Sequence, residues 1–230
     1  MNTIDYSIIA AIIVGVLFPL YAVLTSKKTI EKLEENPEAL ADVYKGTILA
    51  LGIITLTVAA AIKIERVPLE VVGLEFIRNP IWILALLISS GIAFFLISKI
   101  RIPEDKIESA RKSLEGVRHI LPKNRREYRW MMATAFVAGI FEEVVFRGFL
   151  VWIVGLHVHI SIAILGVNIL FGVAHATTKL NNAVKAFGLG LFFSMIYYFT
   201  GSLWLAMLTH IIVDLYAGTF SYKFSQLETD

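Results

Sequence analysis

Long apolar runs separated by short charged segments are the dominant pattern along this chain. A helix needs about 20 consecutive, predominantly apolar residues to cross a bilayer. On that criterion we predict seven spanning helices, at residues 6–25, 46–62, 79–98, 130–155, 160–178, 183–200 and 203–220. The pattern therefore predicts an all-α, polytopic helical membrane protein.

The composition agrees with this class. Of the 230 residues, 57% are hydrophobic and only 17% are charged, and the mean hydropathy is +0.72, which excludes an ordinary soluble globular domain. Because the chain has no cysteine, disulfides, thiolate metal sites and a cysteine nucleophile are excluded. Asp5 precedes the first apolar run instead of a basic segment, so we predict a retained helix, not a cleaved signal peptide.

We expect a single membrane domain over residues 1–230. It divides into three N-terminal spans (1–98), a basic linker (99–129), a four-helix core (130–220) and a tail (221–230).

The distribution of basic residues predicts the orientation. With the N-terminus outside, the inner segments and the tail carry 17 Lys and Arg residues, and the outer segments carry three, Lys63, Arg66 and Arg78. Because cytoplasmic loops are enriched in Lys and Arg, the linker 99–129 is predicted to be cytoplasmic.

The linker has an amphipathic pattern of its own. Apolar residues recur at spacings of three and four, and Pro122 ends the pattern. These residues are Ile107, Ala110, Leu114, Val117 and Leu121. We predict an amphipathic helix on the inner leaflet, followed by a basic cluster against anionic headgroups. The cluster consists of Lys123, Arg125, Arg126 and Arg129.

Three ionisable residues interrupt the fourth apolar run: Glu142, Glu143 and Arg147. Each costs about 2.5–3.5 kcal/mol at mid-bilayer on insertion scales, so they need a polar cavity and each other. Glu143 and Arg147 are i,i+4 neighbours that can pair. Glu142 points about 100° away around the helix and is the strongest candidate for chemistry.

Further polar residues lie in the later spans. His175 lies near the inner end of the fifth span, and His210 and Asp214 are i,i+4 neighbours on the seventh, so the carboxylate can orient the imidazole. Asn168 is interpreted as an interhelical hydrogen-bonding residue outside the site. Each residue alone has a structural interpretation, but ionisable groups on three spans together favour a functional site.

Three short motifs resemble the CAAX protease and bacteriocin-processing family, which includes the type II CAAX prenyl endopeptidases. They are Glu-Glu-x-x-x-Arg (Glu142, Glu143, Arg147), Phe-x-x-x-His (Phe171, His175) and His-x-x-x-Asp (His210, Asp214). The resemblance covers about 130–216 and includes Gly188-Leu-Gly190 and Thr200-Gly-Ser-Leu-Trp204.

The resemblance implies a glutamate-type intramembrane endopeptidase. Glu142 would be the general base, and His175 would hold and polarise the attacking water. The pair of Glu143 and Arg147 would support the site, and His210 would stabilise the oxyanion with Asp214 beside it. A carboxylate in apolar surroundings is suited to take a proton from water and return it to the leaving amine.

The family typically has Asn where this chain has Asp214. Two roles remain open for Asp214: a neutral hydrogen-bond donor, or an ionised group that orients His210 and favours its imidazolium. We prefer the second.

Other functions stay open. Glu142, His175 and His210 could instead hold zinc in a metal-dependent hydrolase, although a His-Glu-x-x-His motif is absent. A proton-coupled carrier would be expected to show repeated halves, and we find none. An inactive immunity or scaffold protein is a further alternative.

We expect no cofactor and no nucleic acid. The expected partners are membrane lipids and a peptide or lipidated protein C-terminus as substrate. The identity of the substrate and the oligomeric state do not follow from the sequence.

Overall fold

The computed structural model describes residues 5–75, 80–176 and 180–229. Within these ranges the secondary structure is helical, without strands. Seven of the helices are α1 (Tyr6–Glu35), α2 (Leu40–Ile64), α3 (Pro80–Ser98), α4 (Ile107–Leu114), α6 (Ile160–Ala174), α7 (Leu180–Thr200) and α8 (Leu203–Thr229). The remaining long helix, α5, is regular over Arg125–Glu142, π-helical over Glu143–Leu150 and regular again over Val151–Gly155.

Five helical segments in the described ranges are long and apolar enough to cross a membrane. They are Tyr6–Glu35, Pro37–Ile64, Ile81–Ser98, Asn181–Thr200 and Leu203–Glu228. The prediction of an all-α, polytopic membrane protein is therefore confirmed. The number of seven spans stays a prediction, because α5 and α6 are outside this set.

Several helices are longer than the apolar runs that predicted them. The second run suggested a helix over 46–62, but α2 begins at Leu40 and has 25 residues. Likewise, α1 continues to Glu35 and α8 to Thr229. A helix does not end where lipid ends, because its backbone hydrogen bonds continue through charged residues.

The amphipathic linker differs from its prediction. Only Ile107–Leu114 is α-helical, with 3₁₀ turns at Glu104–Lys106 and Glu115–Ile120. Its apolar residues pack on Phe220 and Phe224 of α8. The prediction had instead placed these residues against the lipid leaflet. The long C-terminal extension of α8 supplies the apolar surface that the sequence pattern left unidentified.

Helix α5 occupies the centre of the fold. It packs against α2 on one side and α8 on the other. Gly139 lets α8 approach closely, since a Cβ atom at this position would lie 2.8 Å from the backbone nitrogen of Ile211. The largest apolar cluster surrounds the π-helical segment, with Val14 of α1, Val58 of α2 and Val167 of α6 among its buried members.

Two residues counted for the orientation lie outside the described residues: Arg78 of the outer segments and Lys179, one of the 17 inner Lys and Arg residues. The exposed residues of the basic cluster include Arg125, Arg126 and Arg129. Their contact with lipid headgroups stays a prediction.

Candidate active site

The charged residues of α5 lie where the helix changes its winding. Glu142 is the last residue of the regular α-helix, and Glu143 is the first residue of the π-helical segment. Such π-helical turns occur frequently at functional sites. Nothing in the sequence pattern predicted this change.

Glu143 and Arg147 form the predicted ion pair. Arg147 Nη1 donates to Glu143 Oε1 at 2.9 Å, and both side chains are 0% exposed. A buried pair of this kind needs further hydrogen bonds to offset the loss of solvation.

Asn168 and Ser194 supply part of that support. Arg147 Nη2 donates to Asn168 Oδ1 at 3.2 Å, and Asn168 Nδ2 donates to Ser194 Oγ at 2.8 Å. The interhelical hydrogen bonds predicted for Asn168 are confirmed, but they lie within the network around Arg147 and not outside the site. Ser194 was not identified from the sequence. The heptad spacing between Asn168 and His175 was an available signal for Asn168.

Aromatic rings and one glycine complete the surroundings of Arg147. Its guanidinium carbon lies 4.2 Å from the ring centre of Phe171 and 5.6 Å from that of Phe193, within cation–π range. A Cβ atom at Gly190 would lie 2.7 Å from Arg147 Nη2 and would also overlap Asn168 Oδ1. The absence of a side chain at Gly190 therefore makes this close approach of α7 possible.

His210 connects the buried pair to the rest of the site. Its Nδ1 lies 2.8 Å from Glu143 Oε1. Because a carboxylate oxygen can only accept a hydrogen bond, Nδ1 is the donor. Its Nε2 lies 3.5 Å from Asp214 Oδ2. The predicted neighbourhood of His210 and Asp214 is confirmed, but the direct hydrogen bond that orients the ring comes from Glu143.

Glu142 faces both imidazoles. Its Oε2 lies 4.0 Å from Nε2 of His175 and 4.0 Å from Nε2 of His210. These separations are too long for direct hydrogen bonds, and they suit a bridging water molecule. The structure thus brings together the residues that the sequence placed on three separate helices.

His175 reaches Glu142 because α6 is short. The helix has 15 residues, roughly 22 Å of length, which is less than the roughly 30 Å of the hydrocarbon core. His175 follows its last turn, and the ring Nδ1 donates to Phe171 O at 2.8 Å. That bond satisfies a carbonyl near the helix end and leaves Nε2 on the side of Glu142.

An apolar cavity of about 220 Å³ adjoins these two residues. Side chains of α1 and α2, including Phe18, Leu51 and Ile54, line it together with Glu142 and His175. An apolar group bound there would lie directly beside the carboxylate of Glu142.

Metal binding is a separate question. Across the described ranges, no group of three His, Asp or Glu side chains has the arrangement of a metal site. The expectation of no cofactor stays a prediction. The alternative, a zinc ion bound by Glu142, His175 and His210, also stays a prediction.

The fold and the site define a polytopic helical membrane protein in which acidic, imidazole and guanidinium side chains converge inside the helix bundle. Residues 125–216 match the family described as "Type II CAAX prenyl endopeptidase Rce1-like". This range contains every predicted site residue, so the match confirms the resemblance for the part of the chain that builds the site. No curated protein and no solved structure gives a match.

Proposed function

We propose that this protein is an intramembrane endopeptidase that activates water with Glu142 and two histidines and removes a C-terminal tripeptide from a lipidated substrate. One observation carries the proposal: Oε2 of Glu142 lies 4.0 Å from the Nε2 atoms of both His175 and His210. A single water molecule between them would contact a base and two imidazoles.

His175 and Glu142 activate the water in this mechanism. Because Nδ1 of His175 donates to Phe171 O, Nε2 of the neutral ring can accept one water hydrogen. Glu142 takes the other proton while the water oxygen adds to the peptide carbonyl carbon. The proton then passes from Glu142 to the amine nitrogen as the carbon–nitrogen bond breaks.

His210 stabilises the oxyanion. Its Nδ1 donates to Glu143, so Nε2 can donate only when the ring is an imidazolium. Carboxylates of Glu142, Glu143 and Asp214 surround the ring and stabilise that form. A well-placed oxyanion donor contributes about 2.7–4 kcal/mol in a soluble protease.

Glu143 and Arg147 act as positioning residues. The single oxygen Oε1 of Glu143 accepts from both Arg147 and His210, so the ion pair holds the imidazole in place without touching the substrate. Asp214, 35% exposed, is assigned the ionised role beside His210.

A lipidated C-terminus suits the surroundings of the site. The apolar cavity beside Glu142 offers space for part of a hydrocarbon chain, and the His175 side chain, 41% exposed, offers access for a peptide. The excess of basic residues in 99–129 supports a multi-pass protein of the cell membrane whose site opens toward the cytoplasm.

The test is a cleavage assay with purified protein and a farnesylated CAAX peptide, with the released tripeptide detected by mass spectrometry. We expect release from this peptide, less release from the same peptide without farnesyl, and loss of release in His175→Ala with unchanged thermal unfolding. Equal cleavage of both peptides would contradict the proposed preference for a lipidated substrate. Absence of cleavage of either peptide would contradict the proposed removal of a C-terminal tripeptide from CAAX sequences.

A chelator arm of the same assay separates the metal-dependent alternative. Activity that survives chelation, in protein without bound zinc, supports the proposed mechanism. Loss on chelation and recovery with zinc would instead assign Glu142, His175 and His210 as ligands.

A further inference from the structure

A second cavity, separate from the one beside Glu142, has Arg147 in its wall. Its volume is about 470 Å³, and none of its lining residues is shared with the cavity beside Glu142. Arg147 and Ser194 line it, and apolar side chains such as Val151, Trp152 and Ile164 form much of its wall. Apolar walls with a few convergent polar groups are typical of ligand sites.

The polar groups on this wall are hydrogen-bond donors. Arg147 is fully buried, and its Nε has no hydrogen-bond partner among the described residues. Ser194 Oγ accepts from Asn168, so the hydroxyl proton of Ser194 can serve an acceptor. Tyr197 adds a phenol. These donors call for an acceptor oxygen, such as an ester carbonyl.

The charges around the cavity select the kind of ligand. Glu143 already balances the charge of Arg147, so the inner wall suits a neutral ester better than an additional anion. At the rim, Glu70 is exposed and presents a carboxylate that suits an ammonium group. Exposed Leu156 and Tyr198 continue the rim with apolar and aromatic surface.

We propose that this cavity binds one zwitterionic glycerophospholipid. An ester carbonyl accepts from the hydroxyl of Tyr197, part of an acyl chain packs against Trp152, and the ammonium of the headgroup lies near Glu70. This binding does not depend on proteolysis, so its test is independent of the proposed function.

Native mass spectrometry of the full chain in detergent tests the proposal. The protein is titrated with phosphatidylethanolamine and, separately, with phosphatidylglycerol of the same acyl chains. We expect one saturable phosphatidylethanolamine adduct per chain and about tenfold weaker binding of phosphatidylglycerol, a difference of about 1.4 kcal/mol.

Two variants and a control sharpen the test. A Cβ atom at Gly155 would meet only Ile160 Cδ1, at an ordinary 3.6 Å, so Gly155→Leu should fold, extend into the cavity and reduce the adduct about tenfold. The control Gly166→Leu, whose Cβ meets nothing within 4 Å, should keep the adduct. Glu70→Gln should keep the adduct but lose the headgroup preference.

Three results would each overturn the proposal: no saturable adduct, equal retention in the wild type and a folded Gly155→Leu, or an unchanged headgroup preference in Glu70→Gln. Thermal unfolding identifies a variant that fails to fold. In that case the Glu70→Gln comparison decides the proposal alone.

Discussion

Glu142 and Glu143 are adjacent, have the same side chain and occupy opposite environments. Glu143 is fully buried, and one oxygen accepts from Arg147 at 2.9 Å and from His210 at 2.8 Å. Glu142 is 13% exposed, and its oxygen lies 4.0 Å from the rings of His175 and His210. One carboxylate is held by direct partners, and the other faces a space shared with two imidazoles.

Two side chains of the same type can thus have different roles, and the groups that surround each carboxylate decide which role it is suited to. The region around Glu143 continues through Arg147, Asn168 and Ser194 as connected hydrogen bonds, which favours a rigid support. Glu142, by contrast, retains the room to take up a proton in the proposed mechanism.

The largest expected effect is that of Glu142→Gln. The amide keeps the size of the side chain but cannot act as a general base, so kcat/KM on the farnesylated peptide should fall about 10²–10⁴-fold. Thermal unfolding should stay unchanged, because Glu142 has no short ion pair to lose. Retained activity would remove the general-base assignment and with it the contrast between the two glutamates.

Arg147→Ala should affect stability as well as rate. Removing the guanidinium leaves the buried carboxylate of Glu143 without its cation, which costs about 3–5 kcal/mol. Thermal or denaturant unfolding in detergent measures this cost, with Arg129→Ala, an exposed arginine on the same helix, as the control.

A double variant checks the cause of that loss. Glu143→Gln combined with Arg147→Met removes both charges and should recover much of the stability. Activity should remain low, because His210 loses its carboxylate partner. A single Arg147→Ala variant as stable as the control would show that the pair does not support the fold.

Two glycines on α7 offer a matched comparison of smaller effect. A Cβ at Gly190 would collide with Arg147 and Asn168, whereas a Cβ at Gly188 meets nothing within 4 Å. Gly190→Ala should therefore lower stability by about 1–3 kcal/mol. Gly188→Ala should be neutral or stabilising, because alanine is the better helix former. Equal melting temperatures for the two variants would contradict the close approach.

Asp214→Asn should have the smallest effect. Asp214 is partly exposed, and its Oδ2 is 3.5 Å from His210 Nε2, so an amide preserves shape but removes a charge that favours the imidazolium. We expect kcat/KM to fall by no more than about tenfold, or 1.4 kcal/mol, with unchanged folding. Unchanged or increased activity would favour the alternative in which position 214 donates a hydrogen bond.

The sequence alone determined the class of protein and predicted most residues of the candidate site. Apolar length predicts membrane helices because unpaired backbone groups are excluded from lipid. The cost of a charge in that environment singles out Glu142, Glu143 and Arg147 within the fourth apolar run. The pairing of Glu143 with Arg147 also follows from local spacing, since i,i+4 residues meet on any helix.

Only the tertiary structure decided how these residues are shared among helices. The contact of Glu143 with His210 and the inclusion of Asn168 and Ser194 depend on how α5, α6, α7 and α8 are rotated and how closely they approach. Close approach at Gly139 and Gly190, together with the π-helical turn that begins at Glu143, arises from packing between distant segments. Helical periodicity describes one helix at a time, so it cannot specify these contacts.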